Sequence, residues 1–406
     1  MRRAAIVMPM RTPVGLPGGA LAAVSPQRLI ATVLTAVVGR SGIDPHRIEH
    51  LVTAVPAADV VRPAAQLAGF SPVVGEFAVG VESGGGLRAL VTAAMMVQTG
   101  AADVVVALGA EFPAPPAAPG SGAAPGGSGA AARESLLKQA EDLAQHFGLT
   151  RAEVDEFAAD SHRRAARARR QGLFGGETAP VVVCADPDDV NSDVLQLVDR
   201  DEGLRDDVSA RAFAELLPLL PGGISTEANC GAPTLAAAGC LVVAEERLAD
   251  LGLEPMGYLV GWATATPEPG VTVPAATSAV AKALWRTGFE LGEVDLLEVD
   301  ESTAAEALAA IRSLGVADPD GERLNVHGGA VALGDPGGAA GLRVVTTLLH
   351  ELTRRAGGSA LAVSPAGPAQ ALAVVFESPT AVPIAPTPRG ARFHGGRARR
   401  SGRHRA

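Results

Sequence analysis

Residues 4–8 (AAIVM) form an unbroken apolar run, which predicts a buried strand, and Arg11-Thr12-Pro13 reads as the turn leaving it. Apolar positions recur at helical spacing from Pro26 to about Gly39, and 51–55 returns to a short apolar run, a second strand. From Glu82 the period changes again. Leu87, Leu90, Val91, Ala94 and Met95 share one helical face, and Gly100 stands where a C-cap glycine belongs. Residues 103–108 (DVVVAL) then predict a strand buried on both faces.

The same unit recurs far downstream. Gly86-Leu87-Arg88 opens the first helix and Gly341-Leu342-Arg343 a second, with Leu342, Val345, Leu349 and Leu352 on one face. That helix also ends at glycines (Gly357, Gly358) and runs into an apolar strand at 360–364. Gene duplication into two similar αβα halves explains the repeat; a chance likeness of two helix–strand units is the alternative. Between the halves, 113–132 (PAPPAAPGSGAAPGGSGAAA) lacks the surface to bury one structure and is expected to be a mobile loop. Residues 134–172 carry two helical stretches, the second strongly basic (Arg163, Arg164, Arg167, Arg169, Arg170). From Pro379 the chain turns Pro-rich and ends in RGARFHGGRARRSGRHRA, whose seven arginines and lack of any acid predict disorder. Either a weak polyanion contact or simple solvation accounts for that tail.

Composition narrows the class. At 406 residues the chain exceeds one simple core and suits two or three packed lobes. Apolar content of 47% against 19% charged is that of a folded globular protein. Aromatics are only 3%, so Ala, Val and Leu must build a core that lets layers approach closely. A net charge of −10 argues against a nucleic-acid surface on the body of the protein. Cys184, Cys230 and Cys240 show neither CxxC spacing nor a disulfide framework, which indicates a reducing compartment and no zinc. The N-terminal apolar run is broken by Pro9 and Arg11, too short for a signal peptide. No stretch nears the roughly 20 apolar residues of a spanning helix, so a cytoplasmic location is expected.

Several collinear segments carry a family resemblance. RTPVGLPGGAL (11–21) resembles the thiolase opening RTPIGxFGGAL, and ADVVVALGAE (102–111) is similar to ADVVIAGGVE. LTRAEVDEFAADSHRRAA (149–166) matches the thiolase loop-domain helix, and DEGLR (201–205) matches DEGxR. VDLLEVDEST (294–303) resembles DLIEINEAFA, and NVHGGAVALGDPGGAAGLR (325–343) resembles NVNGGAIALGHPIGASGAR. The chain is thus similar to the thiolase superfamily of acetyl-CoA acetyltransferases and 3-ketoacyl-CoA thiolases. The resemblance implies a five-layer αβαβα fold of two duplicated halves. It divides the chain into 1–113 plus 223–265, an inserted loop domain at 114–222, a second half at 266–380, and the basic tail at 381–406. It further implies acyl-CoA acyltransfer in lipid metabolism, which needs a thiolate nucleophile, a second cysteine as acid/base, and donors for enolate and oxyanion charge.

The catalytic positions depart from that pattern. The family's nucleophilic CGSGL aligns with Ser83-Gly84-Gly85-Gly86-Leu87, so a hydroxyl replaces the thiol at a helix N-terminus. Its GHP histidine aligns with Asp335, and its NEAF asparagine, which holds an oxyanion-hole water, with Asp300. The second cysteine, in CxGGGxG, aligns with Pro365, next to Ser364. Two donors become two carboxylates, whose field has the wrong sign for an oxyanion. On the coenzyme side, the family serine of GNASGxND aligns near Gly231, and the HMG segment with Ser135-Leu136-Leu137. Arg205 and the basic helix 163–170 either pair with an adenosine phosphate or form a solvated face.

Two further arrangements stay open. His327 can join Ser83 and Asp335 as a Ser–His–Asp set, or merely satisfy backbone groups of its glycine loop. Asp300 and Asp335 can share a proton, leaving one neutral as a donor. The sequence therefore points to a thiolase-like protein without ordinary thiolysis. It is expected to be a non-catalytic or regulatory subunit, forming a homodimer or a heterodimer with a thiolase-like chain. Ser83-dependent acyl transfer or thioester hydrolysis is one alternative, and ordinary acetyl-CoA acetyltransferase activity, as the family resemblance implies, is another. No metal or resident cofactor is implied; coenzyme A or acyl-CoA is the expected ligand.

Overall fold

A computed structural model describes residues 2–81, 84–112, 130–187, 189, 192–206, 208–266, 274–316, 321–365 and 370–379. The expectations for most of 113–132 and for the tail fall outside the described residues. The first half comprises β1 (Ala4–Arg11), α1 (Pro26–Ser41), β2 (His50–Ala54), α2 (Val61–Leu67), β3 (Gly75–Ala78), α3 (Gly85–Thr99) and β4 (Val104–Glu111). An insertion follows, with α4 (Ala130–His146), α5 (Arg151–Arg170), β5 (Val181–Cys184), β6 (Val194–Val198) and α6 (Ala210–Ala214). β7 (Ala236–Ala244) and α7 (Leu248–Leu251) close the first half. The second half runs through β8 (Gly257–Ala265), α8 (Ala275–Thr287), β9 (Leu296–Val299), α9 (Ala304–Leu314), α10 (Ala330–Leu333), α11 (Ala340–Arg354), β10 (Ser359–Pro365) and β11 (Ala371–Glu377).

The duplication is visible in strand order. The main sheet runs β3-β2-β4-β7-β1-β8-β11-β10-β9. From either edge inward, β2-β4-β7-β1 is mirrored by β9-β10-β11-β8, with β3 added outside the first half. β1 and β8 join the halves by antiparallel pairing over residues 4–6 and 257–259. By this equivalence β8 is the counterpart of β1, its pairing with β11 matching that of β1 with β7.

Alternation along β1 builds the layers. Ala4 and Ile6 face one core with α3 and α11, whereas Ala5 and Val7 face another with α1 and α2. A third core holds α8 and α9 against the outer side of β9, β10 and β11. The two halves of this one sheet thus enclose α3 and α11, and the layers run α1/α2, first half of the sheet, α3/α11, second half of the sheet, α8/α9, the five expected. Met95, expected on the buried face of α3, is instead 37% exposed, at the margin of that face. No helix among the described residues is long and apolar enough to cross a membrane.

The insertion is fastened by buried charge. Arg11, 1% exposed, donates to Glu177 at 2.7 Å and to both carboxylate oxygens of Asp201 at 2.7 and 3.0 Å. Glu202 accepts the Leu16 and Ala20 N–H groups at 2.7 and 2.8 Å. The two sequence motifs at 11–21 and 201–205 are therefore two sides of one joint.

The central helices touch through glycine. A Cβ on Gly341 would lie 2.5 Å from the Leu87 nitrogen, and one on Gly86 2.8 Å from the Gly338 carbonyl oxygen. Gly39, exposed in α1, has nothing within 4 Å of the same point. Gly341→Ala is therefore expected to destabilise the fold by about 1–3 kcal/mol through overpacking, and Gly39→Ala to stabilise it by about 0.5–1 kcal/mol through helix entropy. Urea unfolding midpoints of the two variants check both signs.

Candidate functional site

Strand ends and helix starts converge on one place. Glu111 ends β4, Asp300 follows β9, Ser364 lies in the last turn of β10, and the 334–338 loop leads into α11. Gly84, at φ 87°, starts α3, which meets that loop because Gly86 abuts Gly338. Asp335 is held from both sides: its N–H donates to the Ala232 carbonyl and its carbonyl accepts from Thr234. Gly231 closes the group, since a Cβ there would lie 3.2 Å from the Asp335 Cβ. Its N–H donates to the Ser302 carbonyl at 3.0 Å. Asp300, Asp335 and Gly231 thus lie together. Pro365 continues β10 directly after Ser364, but its side chain lies outside the described residues, as does Ser83.

The sequence reading missed half of the acids. Glu111 and Glu306, the latter in the first turn of α9, lie within electrostatic range of Asp335, and Glu306 also of Asp300. Burial, followed by the Asp300 and Asp335 charges, pushes Glu306 up to about 7. Burial also pushes Glu111 up to about 7; the Gly338 N–H pulls it down and the Asp335 charge adds to the rise. Asp335 is raised as well, by burial and then by Asp300, against hydrogen bonds from Gly337 and Ser302. Asp300, 4% exposed, accepts the Ser364 hydroxyl at 2.6 Å through Oδ2, while Oδ1 has no hydrogen-bond partner among the described residues.

The backbone donors of the α11 approach are already taken. Gly337 N–H donates to Asp335 Oδ1 at 3.1 Å, and Gly338 N–H to Glu111 Oε2 at 3.3 Å. A helix N-terminus attracts an anion, and here the protein's own carboxylates supply it. A sulfur also lies nearby. Cys230, next to Gly231, is buried, and burial pushes its thiol up to about 11 against the pull of Arg133 and Ser225.

A second charged layer lies behind. Glu301 accepts from Ser161 at 2.5 Å and Asn325 at 2.6 Å. Glu298 is pushed up to about 8 by burial, with Arg343 opposing and Glu301 and Glu177 reinforcing. Arg343, 1% exposed, faces Glu298, Glu301 and Asp335 electrostatically, yet its three guanidinium nitrogens have no hydrogen-bond partner among the described residues. No group of three or more His, Cys, Asp and Glu side chains among the described residues has a metal-holding arrangement.

Other expected site residues lie elsewhere. His327 is buried between Glu351, 2.8 Å from its Nε2, and Arg354, with Phe174 against its ring edge. No hydrogen bond links it to Asp335 among the described residues, so the Ser–His–Asp arrangement has no support. Glu351 claims the imidazole: hydrogen bonds from His327, Arg355 and Arg354 overcome burial and hold its carboxyl near 2. Arg205 is exposed beside His162, whose imidazole is lowered to about 4 by burial and then by the Arg205 charge. The basic face of α5 is not an open phosphate cradle. Arg163 pairs with Glu156 and Asp160, Arg164 and Arg167 donate to the Leu324 and Val326 carbonyls, and Arg169 and Arg170 pair with Asp206.

Comparison with known proteins assigns this architecture. The family models "Thiolase, N-terminal domain" and "Thiolase, C-terminal domain" match residues 4–113 with 130–246, and 253–378. The chain is 33% identical over 397 residues to an acetyl-CoA acetyltransferase of Chromobacterium violaceum, covering 92% of this chain and 99% of the relative. Human mitochondrial 3-ketoacyl-CoA thiolase superposes with a TM-score of 0.83 at 25% identity, over 93% of this chain and 99% of that one. Its complex with CoA superposes at 0.81, also at 25% identity, over 93% and 98%.

The raised carboxyls have a consequence for stability. Each binds its proton more tightly in the fold than near pH 4 in the unfolded chain. Their stabilising contribution is complete below about pH 4 and is lost as pH rises through about 7. Glu111→Gln with Asp335→Asn is expected to flatten that part of the pH dependence of the urea midpoint. Parallel curves for the variant and the parent chain would refute the assignment.

Proposed function

The chain belongs to the thiolase family, and we propose that it is a member without thiolysis: a non-catalytic or regulatory subunit that keeps the acyl-CoA acyltransferase fold. The observation carrying this reading is the gathering of Asp300, Asp335, Glu111 and Glu306 at one point, with Asp335 and Glu111 accepting the Gly337 and Gly338 N–H groups. Thioester chemistry places negative charge on a carbonyl oxygen and needs free donors aimed at it. Here the donors face resident carboxylates, and any of these that is ionised repels the developing charge. Ser83 supplies a hydroxyl where a thiolate is required, and no histidine stands at 335 to activate it.

Coenzyme A is a substrate in this family and not a resident cofactor. The solved CoA complex of the human relative supports coenzyme A or acyl-CoA as the ligand class. The role that follows is cytoplasmic and tied to lipid metabolism, as a homodimer or as partner of a catalytically intact thiolase-like chain.

One observation favours a second reading. A carboxyl with a pKa near 7 is a workable general base, and Glu111 has that property at the 338 loop against which α3 starts. Ser83-dependent acyl transfer or thioester hydrolysis would use it.

The purified chain is expected to cleave acetoacetyl-CoA with CoA at least about 10⁴-fold more slowly than an active thiolase. Isolated from its own cells, it is expected in a dimeric species, with itself or with a thiolase-like chain. CoA-dependent turnover at thiolase rates would overturn the proposal. Thioester hydrolysis that vanishes in Ser83→Ala, with a labelled acyl group on Ser83, would replace it by the second reading.

A further inference from the structure

The β5–β6 hairpin has one buried and one uncovered face. Val181, Val183 and Val198 point into the core shared with α1, whereas Val182 stands opposite Leu197 on the outer side. Val194, Leu195 and Leu197 are 65%, 66% and 57% exposed, so more than half of each side chain is in water. Isolated apolar residues at a surface need no explanation, but a contiguous strip does. Its surroundings are acidic: Asp186, Asp189, Asp193 and Asp199 are all exposed.

We propose that this strip is covered by the chain's own C-terminal segment, residues 380–406, which docks in cis across the outer face of β5–β6. Three observations commit the surface to that occupant. Charge is complementary: the segment has seven arginines and no acid, in a chain of net charge −10. Apolar content is complementary too, since Val382 and Ile384 precede the arginines and Phe393 lies among them. Length suffices as well. The described chain stops just past β11, where Glu377 pairs with Arg3 at the start of β1; the hairpin leaves from the opposite end of β1, where Arg11 binds Asp201. That strand has eight residues, so the gap along it is roughly 25 Å. The segment's 27 residues reach about 90 Å when extended.

The basic tail thereby acquires an internal partner, and a foreign polyanion becomes its competitor. Such contacts between exposed charges weaken with salt, while the apolar part does not.

Amide hydrogen exchange tests the proposal on three proteins: the full chain, a chain ending at Pro379, and a full-length variant with all seven tail arginines changed to glutamine. Amides of residues 194–198 are expected to exchange about tenfold or more faster in both variants than in the parent. The parent should lose much of that protection at about 0.5 M salt, and amides of β1 and β11 should not change. The glutamine variant keeps the full length, so a truncated chain that fails to fold does not decide the matter. Equal exchange at 194–198 in the parent and the glutamine variant overturns the proposal. So does protection that rises with protein concentration, because a second copy would then be the occupant.

Discussion

Backbone at Gly338 passes so close to Ala54, Ala110, Gly86 and Gly109 that these points leave no room for side chains. A Cβ on Gly338 would come within 2.5 Å of one carbonyl oxygen and 2.7 Å of another. This contact decides how near the two halves can approach. It sets the start of α3 against the loop before α11, and with them the ends of β4, β9 and β10. Once backbone is packed that tightly, whatever side chains border the loop must share one small space. In this chain most of them are acids.

The electrostatic result follows from burial more than from any single pair. Four carboxylates in one partly buried space cannot all ionise cheaply, so protons are retained on some of them near neutral pH. Behind them, Arg343 is enclosed without a hydrogen bond among the described residues, and its charge offsets Glu298, Glu301 and Asp335 only through space. A thioester carbonyl entering such a site would meet acceptors together with whatever donor a protonated carboxyl supplies. On the proposed reading, an ionised carboxylate at 300 or 335 opposes the negative charge that acyl transfer develops.

Much of this was legible in the sequence, and the illegible part has a common cause. Apolar periodicity located α3, β4, α11 and β10 because burial imposes it directly. The matched motifs also pointed to real joints, as Arg11 with Asp201 and Glu202 with Leu16 demonstrate. Asp335 and Gly231 came from alignment of short glycine-containing segments, whose backbone geometry resists change, and Asp300 from the match over 294–303. Glu111 lay in a quoted segment, but nothing in its neighbours announces that it faces residue 335, over 200 positions away. The same holds for Glu306 and Arg343. His327 and the α5 arginines have two open roles in the sequence for the converse reason. Their charge is plain in the sequence, while the groups that neutralise it (Glu351, the Leu324 and Val326 carbonyls, Asp206) are tertiary neighbours.

The buried Arg11 joint has a bearing on how the molecule comes apart. Its guanidinium is shared between the first strand and the insertion, and both acids that hold it, Glu177 and Asp201, are buried with it. Releasing the insertion alone would remove both acids and the Phe174 ring together and leave the cation unpaired at the apolar sheet end, a state costing several kcal/mol. The insertion is thus no independent module. It is expected to melt with the first half in a single cooperative step, with a form in which only the insertion has peeled away sparsely populated.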